Sequence, residues 1–315
     1  MQILLNMFLN INTNQVLDTI KINFNDNELW AVNVILALIM FGVALGIKVE
    51  DFKRLLNSPK IVLTGIISQF ILFPFITYLL VNIINPYPSI ALGMIMVAAC
   101  PGGNISNFAT HLAGGNTALS VSLTAFATLV AIIMTPLNLA FWGSLYEPTA
   151  KILRAVELDP FVLIKLVSLI LGIPLIIGML VRHYKPAIAI KLSKILRPLS
   201  IFILLIFIAG AFYGNWKIFI NYVHYVLIVV ITLNIAGYVS GFYFSKLMGL
   251  SYQNQKTLSI ETGIQNSGLG LLLCFAFFEG LGGMALCLAF WSVWDIASGL
   301  GLGYFWSRKT TKAVA

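Results

Sequence analysis

The sequence is poor in charge. Asp, Glu, Lys and Arg make up only 10% of its 315 residues, against roughly 25% in soluble domains. A soluble globule of this length needs that charge for its surface, so a soluble enzyme is excluded. A nucleic-acid-binding protein is excluded on the same ground, despite a net charge of +8. Cysteine is also scarce. Cys100, Cys274 and Cys287 all lie in apolar runs without metal-ligand spacing and read as small buried side chains. No grouping of nucleophile, base and metal ligands appears, so enzymatic catalysis has no residues to use. What is abundant is apolar: 59% of residues are hydrophobic and the mean hydropathy is +0.95. A helix crosses the hydrocarbon core in about 20 apolar residues, so the chain has room for roughly eight to eleven crossings.

Nine spans are expected, at 28–47, 61–84, 89–112, 118–143, 161–182, 198–213, 222–245, 257–278 and 285–306. Gly, Pro and Asn punctuate the breaks between them, as at Asn85-Pro86-Tyr87-Pro88 and Gly280-Leu281-Gly282-Gly283. Residues 1–27 lack the basic start and cleavage site of a secretory signal and are read as a short interfacial or disordered segment outside the membrane. Lys and Arg set the orientation. Loops 48–60, 111–117, 182–197 and 246–256 and the tail at 307–315 hold fourteen of them, the opposite side four. Lys165 lies near a span end and can snorkel. The N-terminus is therefore expected outside and the C-terminus in the cytoplasm, in a plasma membrane that for a bacterial chain is the inner one.

Two spans are interrupted. The third is broken by Cys100-Pro101-Gly102-Gly103-Asn104-Ile105-Ser106-Asn107, and the eighth contains Glu261-Thr262-Gly263-Ile264-Gln265-Asn266-Ser267-Gly268. Gly103 and Gly263 are 160 residues apart, and the same shift pairs the second span with the seventh and the fourth with the ninth. Five crossings separate the partners, so the halves are inverted copies: residues 28–143 with four helices and 144–306 with five. Inverted repeats with two interrupted helices at matching positions point to a secondary transporter, with the breaks meeting near the midplane.

Of eleven acids, only Glu261 and Asp295 lie inside spans. A charge at that depth costs about 2.5–3.5 kcal/mol on insertion scales, and no Lys or Arg is expected at the same depth. A bound cation or a proton is then the compensating charge for Glu261. Oxygen ligands suited to a hard alkali cation surround it in the pattern: Gln265 one turn on, Ser106 and Asn107 in the other break, Gln69 in the second span, and Ser120 and Thr124 spaced i, i+4 on one helix face. These suffice for two sodium sites sharing one carboxylate, whereas a proton site needs only the acid. Asn138 and Asn234 read as structural polar contacts, and His111, His183 and His224 as interfacial.

The Cys-Pro-Gly-Gly-x-x-Ser-Asn break, the Ala118-Leu119-Ser120-Val121 helix with Thr124, and the Glu261–Gly268 segment resemble the bile acid:sodium symporter family. The resemblance covers nearly all of residues 30–310. It implies an all-α polytopic fold of nine helices, with a panel domain of helices 1, 5 and 6 and a core domain of helices 2–4 and 7–9, whose two broken helices cross. It implies one Na⁺ site at Ser106, Asn107, Ser120, Thr124 and Glu261. The second would use Gln69, Glu261 and Gln265 with main-chain carbonyls of Thr262 and Ile264. The substrate would lie between panel and core, near Asn104 and Asn266. Asn104 stands where Thr is frequent in bacterial relatives, and Trp294-Asp295-Ile296 replaces a Trp-His-Asn pattern that faces the substrate region. An acid at Asp295 repels an anionic substrate unless it is protonated or paired.

The expected function is therefore sodium-coupled symport of an organic anion, bile acid-like or a small carboxylate, by alternating access with two Na⁺ per substrate. The chain is expected to work among membrane lipid, without nucleic acid and with no obligatory protein partner. A proton-coupled anion carrier or cation/proton exchanger is the alternative within the carrier class, and a non-transporting membrane receptor the alternative outside it.

Overall fold

In the computed structural model, the protein is all-helical across residues 16–19, 26–56, 58–155, 160–214 and 216–312, which are the residues described. The helices are α1 (Asp26–Ala44), α2 (Val49–Leu56), α3 (Pro59–Ile84), α4 (Pro88–Ala99), α5 (Ile105–Leu112), α6 (Thr117–Leu145), α7 (Glu147–Ala155), α8 (Pro160–Tyr184), α9 (Pro186–Gly214), α10 (Trp216–Leu247), α11 (Tyr252–Gly263), α12 (Ser267–Phe278) and α13 (Gly282–Lys312). Each apolar run read from the sequence is helical. Among the described residues, α3, α6, residues Tyr222–Leu247 of α10 and Gly282–Arg308 of α13 are long and apolar enough to cross a membrane. With the shorter apolar helices α4 and α12, they make this an integral membrane protein.

Three sequence expectations change. Residues 182–197 are not a loop: α8 runs to Tyr184 and α9 starts at Pro186. The tail begins later than expected, because α13 continues to Lys312. Within the N-terminal segment, Val16–Thr19 form a helical turn whose Leu17 is fully buried. Asp18 Oδ1 accepts a hydrogen bond from the Ser89 amide at 2.8 Å, capping the start of α4. The rest of the 1–25 stretch lies outside the described residues.

Proline positions explain the departures from straight helices. Pro74 has no N–H to donate one turn back, and α3 widens into a π-turn over Ser68–Leu72 just before it. The carbonyl of Phe70 is taken instead by Asn138 Nδ2 at 3.0 Å. Pro136 in α6 likewise leaves the Ile132 carbonyl to Ser168 Oγ at 3.1 Å. Pro101 forces the residue before it out of helical geometry. Cys100 is extended (φ −73°, ψ 155°), and α4 ends there.

The central layer is α4, buried along nearly its whole length, with α12 and α13 packed around it. α10 lies along α11, and α13 also touches α5. α8 and α9 pack on α1, and α8 also packs on α6. The two breaks meet. Gly102 and Gln265 form an antiparallel bridge, Gly103 N donates to Ile264 O at 3.2 Å, and Asn266 N donates to Pro101 O at 2.8 Å. The backbone freed by each interruption is thus paired partly with the other interruption and partly with side chains, as where Thr135 Oγ1 donates to Ala99 O at 2.8 Å.

Candidate functional site

Glu261 sits in the last turn of α11, 6% exposed. Its carboxylate faces α5 and α6. Ser106 Oγ donates to Oε1 at 2.6 Å, Ser120 Oγ donates to the same oxygen, and Thr124 Oγ1 donates to Oε2 at 3.0 Å. Asn107 Oδ1 closes the ring, accepting from Ser120 at 2.9 Å and Thr124 at 3.3 Å. All five residues assigned to the first ion site therefore converge. Among the described residues no Lys, Arg or His forms an ion pair with Glu261. The polar partners of the carboxylate are the hydroxyls of Ser106, Ser120 and Thr124, with the Asn107 amide oxygen beside them. Gly102 lets the backbone approach closely here: a Cβ would lie 3.1 Å from Glu261 Oε2 and press on the carboxylate.

The second group is equally compact. Gln69, held in the π-turn, donates through Nε2 to Gln265 Oε1 at 2.6 Å and to Cys100 O at 3.1 Å. Its own Oε1 is left as an acceptor. Gln265 Nε2 donates to Thr262 O at 2.7 Å, and Ile264 O accepts from Gly103 N. Each of those carbonyls keeps a second lone pair. A cavity of about 20 Å³ is lined by Gln69, Glu261 and Thr262 among apolar neighbours, enough for one water-sized occupant.

A larger cavity of about 450 Å³ lies against the other side of α5 and α6. Asn104, Asn107 and Thr124 line it from the break side, and Val43, Ile47 and Asp51 from the end of α1 and the start of α2. The ion-site residues Asn107 and Thr124 thus form one wall of a space large enough for an organic molecule. Asn266 and Asp295 do not line it. Asn266 Oδ1 instead caps α12, accepting from Leu269 N at 3.1 Å. Asp295 is buried on the face of α13 that backs the second break. Its neighbours along that face are Ser292, bonded to Ser267 at 2.8 Å, and Gly299, packed on Ile264.

The profile of the Sodium Bile acid symporter family matches residues 33–222. The chain belongs to that family. It is 34% identical to the Uncharacterized sodium-dependent transporter YocS of Bacillus subtilis, over 90% of this chain and 85% of the relative. It is 30% identical to the protein named Probable sodium/metabolite cotransporter BASS1, chloroplastic, of Arabidopsis thaliana, over 90% of this chain and 68% of that one. It is also 29% identical to the human Ileal sodium/bile acid cotransporter, over 76% and 67%. These relatives are named as transporters rather than enzymes.

The sequence reading missed several participants. Asp51 and His111 line the large cavity, yet they lie on elements that nothing in the sequence brings together. Asn138 and Asn234 were read as structural, and their bonds bear this out in a specific way. Asn138 serves the carbonyl freed by Pro74, and Asn234 Nδ2 donates to Gly263 O at 2.8 Å, the carbonyl freed by the second break. A Trp indole holds each amide in turn: Trp142 Nε1 donates to Asn138 Oδ1 at 3.2 Å and Trp294 Nε1 to Asn234 Oδ1 at 3.1 Å.

Proposed function

We propose that the protein is a sodium-coupled symporter that carries one organic anion with two Na⁺ by alternating access. The observation that carries this reading is the Glu261 carboxylate, deeply buried, ringed by four oxygen-bearing side chains and, among the described residues, without a cation in ion-pair contact. Hydroxyl and carboxamide oxygens are the ligand chemistry of a hard cation. Ser106, Ser120 and Thr124 can turn their lone pairs to an ion and their protons away. One Na⁺ would sit among Ser106, Asn107, Ser120, Thr124 and Glu261. A second would sit among Gln69, Glu261, Gln265 and the carbonyls of Thr262 and Ile264, beside the small cavity. The names of the relatives, which are sodium-dependent transporters or sodium cotransporters, favour Na⁺ over a proton as the coupling ion.

The substrate would occupy the cavity of about 450 Å³ beside Asn104 and Asn107, between a panel of α1, α8 and α9 and a core of the remaining spans. α1, α8 and α9 packing on one another supports that division. In this reading nine spans place the N-terminus outside and the Lys-rich ends in the cytoplasm. The cavity then opens inward, because its wall includes Ile47 and Asp51 at the cytoplasmic end of α1.

Two Na⁺ with one monoanion move net +1. A potential of 100 mV supplies about 2.3 kcal/mol for that charge, and a tenfold sodium gradient adds about 1.4 kcal/mol per ion. The sum of about 5 kcal/mol supports accumulation of roughly a few-thousandfold. The test is uptake of a panel of radiolabelled organic anions, from keto acids to bile acids, into sealed proteoliposomes with an imposed Na⁺ or K⁺ gradient. Sodium-driven accumulation of at least one anion supports the proposal. Binding without accumulation, or accumulation driven only by a pH gradient, overturns it.

A further inference from the structure

Between Asp159 and Glu261 the chain contains nine Lys and Arg and no acid. The remainder has ten Lys and Arg against eleven acids, so this one stretch accounts for the entire positive excess. Five of the nine, Arg182, Lys185, Lys191, Lys194 and Arg197, cluster where α8 gives way to α9. The chain turns there at Lys185, the one residue between the two helices. The cations are therefore fixed on helical ends instead of being spread along a solvated loop.

Lys185, Lys191 and Lys194 are exposed, and none has an ion-pair partner among the described residues. Large apolar side chains share the same turns. Tyr184 is 71% exposed, Ile188 55% and Ile195 57%, and Ile190 is exposed as well. A water-facing hairpin does not present a tyrosine and three isoleucines beside its lysines. A helix at the level of lipid headgroups does: the apolar side chains and lysine stems enter the acyl boundary, and the ammonium groups stay with the phosphates.

We infer that the α8–α9 hairpin is a binding surface for anionic phospholipid headgroups. The recognised chemistry is a phosphodiester carrying net negative charge, met by Lys185, Lys191 and Lys194 with Arg182 one turn behind. Lipid binding follows from charge, helical placement and apolar exposure alone and does not depend on the proposed transport. Its consequence does rest on that proposal. α8 and α9 pack on α1, so headgroups gripping their joint hold that group of helices in the leaflet while the broken-helix group moves.

The full-length protein is reconstituted into vesicles of equal dioleoylphosphatidylglycerol and dioleoylphosphatidylcholine. It is then extracted in mild detergent, and the retained lipid is quantified by mass spectrometry. Wild type retains phosphatidylglycerol in excess over its input share. A Lys at an anionic surface strengthens association roughly fivefold. The combined Lys185→Gln, Lys191→Gln and Lys194→Gln variant therefore loses selectivity by on the order of 100-fold at low salt, and its retained ratio falls to the input ratio. The matching triple Lys→Arg variant keeps the enrichment. Wild type extracted at about 1 M salt, where the Debye length is only about 3 Å, loses it. That arm stands even if the triple Gln variant does not fold. Undiminished phosphatidylglycerol enrichment in a folded triple Gln variant, or in wild type at high salt, overturns the inference.

Discussion

Asn138→Ala tests whether α3 is shaped by one proline and one amide. Asn138 Nδ2 is the donor to Phe70 O at 3.0 Å, and both residues are buried. Pro74 supplies no N–H to that turn of α3. Removing the amide leaves a buried carbonyl unpaired, at a cost of about 1–3 kcal/mol. It also strands the Trp142 indole N–H, which now donates to Asn138 Oδ1. Adding Pro74→Ala gives the chain back a backbone donor within reach of Phe70 O, so the double variant recovers about 1–2 kcal/mol of the loss. The recovery has a functional price. When the π-turn relaxes to α-geometry, the residues before it shift by one position, about 100° of rotation, and Gln69 turns away from Gln265. If sodium affinity then falls tenfold, saturating Na⁺ stabilises the double variant by about 1.4 kcal/mol less than wild type. Thermal unfolding in detergent, with Na⁺ and with K⁺, reads both quantities. A double variant no more stable than Asn138→Ala, or one that keeps the full sodium effect, refutes the link from Pro74 through Phe70 to Gln69.

The remaining predictions follow the same contacts. Glu261→Gln keeps the shape of the site but removes its charge, so stabilisation by Na⁺ disappears while the protein stays folded; an unchanged sodium-dependent melting shift counts against the shared carboxylate. Gln69→Ala removes one ligand of the proposed second ion, so the Hill coefficient for sodium in uptake assays falls toward one. At Gly263 the Tyr238 ring occupies the space a Cβ would need, so Gly263→Ala costs about 1–3 kcal/mol and trimming Tyr238 to Leu in the same chain restores part of it. Lys256 Nζ donates to Ala113 O at 2.8 Å and lies 4.9 Å over the Tyr252 ring; Lys256→Met therefore lowers the melting temperature, by the equivalent of about 1–3 kcal/mol, without abolishing the sodium shift.

The breaks were legible because Pro101, Gly102 and Gly263 each weaken a helix and are flanked by polar side chains that lipid would not tolerate. The ring around Glu261 was legible for the same reason: Ser106, Asn107, Ser120 and Thr124 are polar at bilayer depth, and Ser120 and Thr124 share a helix face. The π-turn at Gln69 was not, since Ser68–Leu72 has no composition that distinguishes it from ordinary helix, and its cause, Pro74, acts through a carbonyl whose partner is sixty-eight residues away. The continuous helix through 186–197 was hidden by its charge, which reads as loop when only apolar runs are counted. Of the large cavity, only Asn104 was anticipated, through the family resemblance. Asp51, Asn104 and His111 share its wall because α2 packs on α6 and brings the α1–α2 junction opposite α5, a placement that no spacing in the chain encodes.

The division of labour at Glu261 follows from the two breaks being chemically unlike. The carboxylate comes from α11, in the second half of the chain. Ser106, Asn107, Ser120 and Thr124 come from α5 and α6, in the first. Gln69 belongs to the first half and bonds Gln265 of the second at 2.6 Å. Position 101, which the 160-residue shift aligns with Glu261, is a proline, so the first break brings no acid of its own. Neither half therefore completes either ligand group. Backbone bonds between Gly103 and Ile264 and between Asn266 and Pro101 hold the breaks together, Lys256 to Ala113 and Asn116 to Asn254 tie the far ends of α5 and α6 to α11, and the hydroxyls of Ser106, Ser120 and Thr124 meet α11 at the Glu261 carboxylate. Without an ion, Ser106, Ser120 and Thr124 donate their protons to the carboxylate. In the proposed site an ion would take the place of those protons, the hydroxyls turning their lone pairs to it, so the halves would be joined through the ion instead of through hydrogen bonds. In the proposed mechanism, sodium occupancy would couple to how tightly α5 and α6 close on α11, and Asn107 and Thr124, which also line the large cavity, would carry that closure to the molecule the cavity holds.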